Sequence, residues 1–164
     1  MNLSGKIGAL LLLLSAFLKI EAAGLTSNLT YSVPTITAMS VSGNVTFGAF
    51  ATPAAGSNFA PLVDTSTTYS LTNNAGTSAN TKITGQLGAV LPTGMTLSAQ
   101  LAPPTGGTSS GATPLTTSSA TLVTNIGHVV SNGNIITYSL GADITQAAPA
   151  TSATITVTYT LIAA

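Results

Sequence analysis

Ala153-Thr154-Ile155-Thr156-Val157-Thr158-Tyr159-Thr160-Leu161 alternates apolar and polar residues without a break. Successive side chains of a β-strand point to opposite faces, so a period of two sorts this stretch into two rows. Ala153, Ile155, Val157, Tyr159 and Leu161 form a core row, and Thr154, Thr156, Thr158 and Thr160 form a solvent row. Threonine is β-branched, favours strands and is polar enough for water. The segment predicts a strand with one wet face.

The same pattern recurs upstream. Leu25, Leu29, Tyr31 and Val33 alternate with Thr26, Asn28, Thr30 and Ser32. Met39, Val41, Val45 and Phe47 alternate with Ser40, Ser42, Asn44 and Thr46. Tyr69 and Leu71 sit among Thr68, Ser70 and Thr72, and Ile83 and Leu87 flank Gly85 with Lys82, Thr84 and Gln86 opposed. Met95, Leu97, Ala99 and Leu101 alternate with Thr96, Ser98 and Gln100, and Ile136, Tyr138, Leu140 and Ala142 oppose Ile135, Thr137 and Ser139. A less regular strand is expected over Ala120–Ile126.

Turn residues punctuate these runs. Asn73-Asn74-Ala75-Gly76 and Pro92-Thr93-Gly94 suit tight loops, because Asn and Gly tolerate positive φ. Asn132-Gly133, between Val129-Val130 and Ile135-Ile136, predicts a type I′ hairpin. Thr52–Pro61 and Pro103–Ser110 are Pro- and Gly-containing loops. No segment offers apolar residues at helical spacing over three turns. Strands and turns in this number predict an all-β domain: a two-sheet antiparallel sandwich, immunoglobulin-like, of about eight strands, with a barrel as the alternative.

The first residues have a different character. Lys6 is followed by an almost wholly apolar stretch from Ile7 to Leu18, then by Ala22, Ala23 and Gly24. A charged start, a short apolar run and small residues make up a secretory signal peptide, expected over 1–24, with the domain over 25–164. Cleavage after Gly24 and cleavage after Ala22 both satisfy this pattern. The apolar run falls short of the about 20 residues that span a bilayer as a helix, so no membrane span is expected once the signal is removed. The expected location is secreted, extracellular or at the cell surface, by way of the periplasm in a bacterium. Asn28-Leu29-Thr30 and Asn44-Val45-Thr46 match the N-glycosylation pattern, which has meaning only in a eukaryotic source.

Downstream of Gly24 the only charged residues are Asp64, Lys82 and Asp143. No basic patch exists to neutralise phosphates, which excludes nucleic acid as a partner, and the same lack excludes a polybasic membrane contact. An uncharged polar surface repels its neighbours weakly, which favours self-association. The absence of cysteine removes thiol catalysis and Cys-ligated metals.

The catalytic inventory is short. His128 is the only histidine and reads as a loop residue. Asp64 and Asp143 would need a separation of roughly 5–10 Å to act as a glycosidase pair, and each reads instead as a turn cap. Two aspartates with carbonyls offer calcium only a loose site, since that ion takes six to eight oxygens. The threonine row brings ice binding to mind, but the full row occurs once, so a solvent-facing strand is the simpler reading. The expectation is a non-enzymatic protein with no catalytic, cofactor-binding or metal-binding residues.

The stretches Thr67-Thr68-Tyr69-Ser70-Leu71-Thr72-Asn73, Lys82-Ile83-Thr84-Gly85-Gln86-Leu87, Leu91-Pro92-Thr93-Gly94-Met95-Thr96-Leu97 and Ile155–Leu161 together carry a resemblance. The chain resembles exported bacterial β-sandwich proteins of uncharacterised role and, more loosely, pilin-type fibre subunits. The cysteine pair common in chaperone–usher pilins is absent. The resemblance implies a structural protein of the cell surface or extracellular matrix, with copies of itself or related subunits as partners. Leu25, Leu29, Tyr31 and Val33 then form a candidate strand-exchange arm, able to complete a neighbour's sheet by β-strand addition. The same segment also reads as the first strand of its own sandwich. An adhesin or carbohydrate-binding module using the loops at Thr52–Pro61 and Pro103–Thr113 is the alternative function.

Overall fold

The computed structural model describes residues 28–75, 81–146 and 153–162. The expected signal peptide and Leu25 lie outside the described residues. The chain divides into two units at Val33/Pro34. In the first, residues 28–33 form no strand and their side chains are exposed. The expectation that this segment is a strand of its own sandwich is corrected for those six positions.

Among its described residues the second unit is all-β, with nine strands: β1 (Thr37–Ser42), β2 (Leu62–Asn73), β3 (Thr81–Leu87), β4 (Met95–Leu101), β5 (Thr108–Ser109), β6 (Thr113–Pro114), β7 (Ala120–Ile126), β8 (Val129–Ala142) and β9 (Val157–Ile162). Every pairing is antiparallel. One sheet runs β1-β2-β8-β4-β6 and the other β5-β7-β3-β9. The two sheets enclose a single core, so the expected two-sheet sandwich is the fold.

Alternation builds that core. Tyr69 and Leu71 of β2, Leu97, Ala99 and Leu101 of β4, and Ile136 and Tyr138 of β8 face Ile83 and Leu87 of β3 and Leu122, Val123 and Ile126 of β7. Fully burying a side chain such as Ile83, Leu101 or Leu122 is worth roughly 1.5–3 kcal/mol, so this layer holds the sheets together without a disulfide. Asn73 is buried among them with its amide satisfied. It donates to Thr81 Oγ1 and to the Gly127 carbonyl, and accepts from Thr37 Oγ1 and the Ala75 N–H. Asn74 then fixes where the sandwich begins: its N–H donates to the Ile36 carbonyl and its amide Nδ2 to the Pro34 carbonyl.

Three expectations need correcting. The strand expected from Ala153 begins only at Val157, and residues 153–156 form none. Asn132-Gly133 is not a hairpin, because β8 runs through it unbroken. Tyr69 pairs with Asn134 and Leu71 with Ser131, so Asn132 and Gly133 together oppose Ser70. This is a β-bulge, and Gly133 supplies its left-handed residue at φ 68°. Ser131 Oγ donates to Asn134 Oδ1, and Asn134 Nδ2 donates to the Tyr69 carbonyl, which pins the bulge. The strand expected over Met39–Phe47 stops at Ser42, where Gly43 takes φ 79°. Val45 and Phe47 still pack on the core from the segment that follows.

Candidate functional site

The residues with catalytic potential lie in β2 and at the two ends of β8. Asp64 pairs with Tyr138, while Asp143 lies five residues further on, ~16 Å at about 3.3 Å per residue. That exceeds the separation a glycosidase pair requires. His128 lies in the connection from β7 to β8, ten residues from Tyr138 in the other direction, or ~30 Å along the strand. The structure therefore brings no two of these three groups together.

Each carboxylate is occupied locally. Asp64 Oδ1 accepts from the N–H and hydroxyl of Ser66, inside a second bulge where Thr65 and Ser66 oppose Thr137. Asp143 Oδ1 accepts from the N–H and hydroxyl of Thr145, and Oδ2 accepts from Gln146 Nε2. These donors, the Thr145 N–H first, hold the Asp143 carboxyl below its ordinary value. Among the described residues no three His, Cys, Asp or Glu side chains gather as a metal site. No helix among them is long and apolar enough to cross a membrane.

The loop at 52–58 borders a cleft of about 560 Å³ that also includes Ile144 and Thr145. Asn58 organises it: its Oδ1 accepts from the N–H groups of Phe59 and Ile144. Phe59 meets Phe50 at a centroid distance of 5.3 Å with the ring planes tilted by 48°. The threonine row of β9 continues across strands in one rung only. Thr160 pairs with Thr84, which pairs with Thr121, whereas Gln86 faces Thr158 and Lys82 faces Ile162.

The sheet edges carry a sharper asymmetry. On one side the edge strands β5 and β6 have two residues each, and β6 contains Pro114. Short strands and proline are the usual means of blunting an edge against pairing. On the other side β1 and β9 each have six residues, with no proline and no charge. They approach each other, so both long edges open on one side of the sandwich.

The direction of the β9 edge follows from one hydrogen bond. The Gly88 N–H donates to the Thr156 carbonyl at 2.8 Å, which extends the register in which Leu87 faces Val157. Antiparallel strands alternate hydrogen-bonded and non-bonded pairs, so Thr158, Thr160 and Ile162 turn their main-chain groups toward β3. Val157, Tyr159 and Leu161 turn theirs outward. Among the described residues no strand pairs with that side and no loop donates a backbone hydrogen bond to it. The side chains of the same three residues form the inner row, half-buried against the core.

Of the predicted arm, Leu29, Tyr31 and Val33 are 87, 82 and 73% exposed. Three large apolar side chains at alternate positions are thus left to solvent. The sequence shows the alternation of this segment and of β9 and offers terminal strands for pairing between chains, but not which strands end a sheet. Whether a strand lies in the middle or at the border of a sheet is set by pairing across the whole chain. Comparison with family models, with curated proteins and with solved structures finds no match to this chain.

Proposed function

We propose that this is a non-enzymatic, exported structural protein of the cell surface or extracellular matrix, a pilin-like fibre subunit that assembles by β-strand addition. Two observations carry the reading together: the exposed alternating segment Asn28–Val33, and a sandwich with two long, uncharged edges that no strand pairs among the described residues. An unpaired edge is a row of main-chain donors and acceptors that an extended segment satisfies. The separation of His128, Asp64 and Asp143 along β8 supports the non-enzymatic part. The apolar run at Ile7–Leu18 supports export. The partners are copies of this chain or related subunits.

Electron microscopy of the chain beginning at Leu25, beside one beginning at Pro34, tests this. Filaments from the first and none from the second are expected. Monodisperse monomers from a well-folded longer chain would overturn the reading.

A further inference from the structure

β9 and the arm match residue for residue. The segment Asn28–Val33 and the strand Val157–Ile162 are both six residues long, or ~20 Å extended. Laid antiparallel with Tyr31 opposite Tyr159, Leu29 meets Leu161 and Val33 meets Val157. Those three β9 residues are the ones whose main-chain groups face outward, so each of the three pairs would be a hydrogen-bonded one. Two bonds per pair give about six across the junction. The three apolar arm residues then fall on the inner face, beside Val157, Tyr159 and Leu161, and Asn28, Thr30 and Ser32 fall on the solvent face, beside Ile162, Thr160 and Thr158. Neither strand brings a charge to the junction.

The other long edge fits less well. The inner row of β1 consists of Thr37, Met39 and Val41, opposite Asn73, Leu71 and Tyr69. It offers two apolar residues where β9 offers three.

We infer that β9 is the acceptor edge, and that the Asn28–Val33 segment of a second copy adds to it antiparallel with Tyr31 opposite Tyr159. This rests on the assembly reading above and specifies its junction. The added strand would extend the four-stranded sheet to five and cover the half-buried row of β9.

The chain contains no cysteine, so introduced thiols report unambiguously. Thr30 and Thr160 would form a non-hydrogen-bonded pair with Cα atoms ~4.5 Å apart, within the range a disulfide spans. Both are exposed, so neither change disturbs the core. Thr30→Cys and Thr160→Cys chains, each beginning at Leu25, are mixed under mild oxidation, and a Ser40→Cys chain serves as the reporter for β1. The expected result is a mixed disulfide between the first two, seen as a band at twice the monomer mass that reduction removes. A cross-link from Thr30→Cys to Ser40→Cys instead, or only Thr160→Cys linked to itself, would overturn the assignment of β9. Filaments that need the arm but yield no 30–160 disulfide would likewise overturn the junction while leaving assembly standing. Folded monomers without filaments or cross-links would remove both.

Discussion

The hydroxyl of Tyr159 in β9 donates to the hydroxyl of Tyr138 in β8 at 2.8 Å, tying the edge of one sheet to an interior strand of the other. Among the described residues β9 pairs only with β3, so this cross-sheet link is a second restraint on an edge strand. It also holds the Tyr159 ring in the inner row.

Tyr159→Phe should destabilise the fold by about 1–3 kcal/mol, because Tyr138 loses its donor in a part-buried site. Tyr138→Phe should cost a similar amount by stranding the Tyr159 hydroxyl. The double variant removes both hydroxyls together, so its cost should be smaller than the sum of the two. Urea unfolding of all four proteins gives the coupling, and strict additivity would show that the two hydroxyls do not interact.

Gly85 is opposite Tyr159 and has no room for a side chain. A Cβ there would lie 2.7 Å from Leu122 Cδ1 and 3.3 Å from Tyr159 Cε1. Leu122 is fully buried, and Tyr159 is half-buried with its hydroxyl held by Tyr138. Gly85→Ala should therefore cost about 1–3 kcal/mol, the usual range for overpacking, although alanine is the better strand former. An unchanged unfolding midpoint would mean that Leu122 can turn aside.

Thr67 is 2% exposed, and its Oγ1 has no hydrogen-bond partner among the described residues. A buried hydroxyl without a partner costs about 1–3 kcal/mol of desolvation. Thr67→Val keeps the branched shape and removes the polar atom. It should raise stability by about 1 kcal/mol, read as a higher urea midpoint with the same slope. A lower midpoint would mean that the hydroxyl is satisfied in solution.

The limits of reading this fold from its sequence follow from parity. In β4 each inward residue is two places from the next, so Met95–Leu101 is legible and the observed strand has the same bounds. In β8 the bulge at Asn132-Gly133 changes parity. Ile136 and Asn134 face the core on even numbers, while Ser131 and Val129 face it on odd ones. The doubled apolar pairs Val129-Val130 and Ile135-Ile136 are the trace of that switch, since one member of each is exposed. A hairpin and a bulge ask the same chemistry of Gly133, a left-handed residue, so the local sequence does not separate them. The bulge in β2 at Thr65-Ser66 is hidden in the same way. The alternation over Asn28–Val33 was legible because it is local. The open edge of β9 was not, because it depends on which strand fails to gain a second neighbour.

The buried tyrosines also set the response to alkali. Burial pushes Tyr69 from 10.0 up to about 12, and burial likewise raises Tyr138 and Tyr159. For Tyr138 the hydrogen bond from Tyr159 works against that rise, while the Asp64 charge adds to it. Between pH 10 and about 12 the unfolded chain has lost phenolic protons that the folded chain retains. Fewer protons on the unfolded state mean that stability falls as pH rises. The stability is complete below pH 10 and, for Tyr69, the loss ends once the folded hydroxyl titrates near 12. Each such group contributes a slope of up to about 1.4 kcal/mol per pH unit. Urea unfolding across this window should show the decline, and Tyr69→Phe, though it also loses the bond to the Ala102 carbonyl, should make it shallower. Ultraviolet titration of the folded chain provides the check. If Tyr69 ionised at its ordinary value without unfolding, its ring would be open to water and the core described here would be wrong.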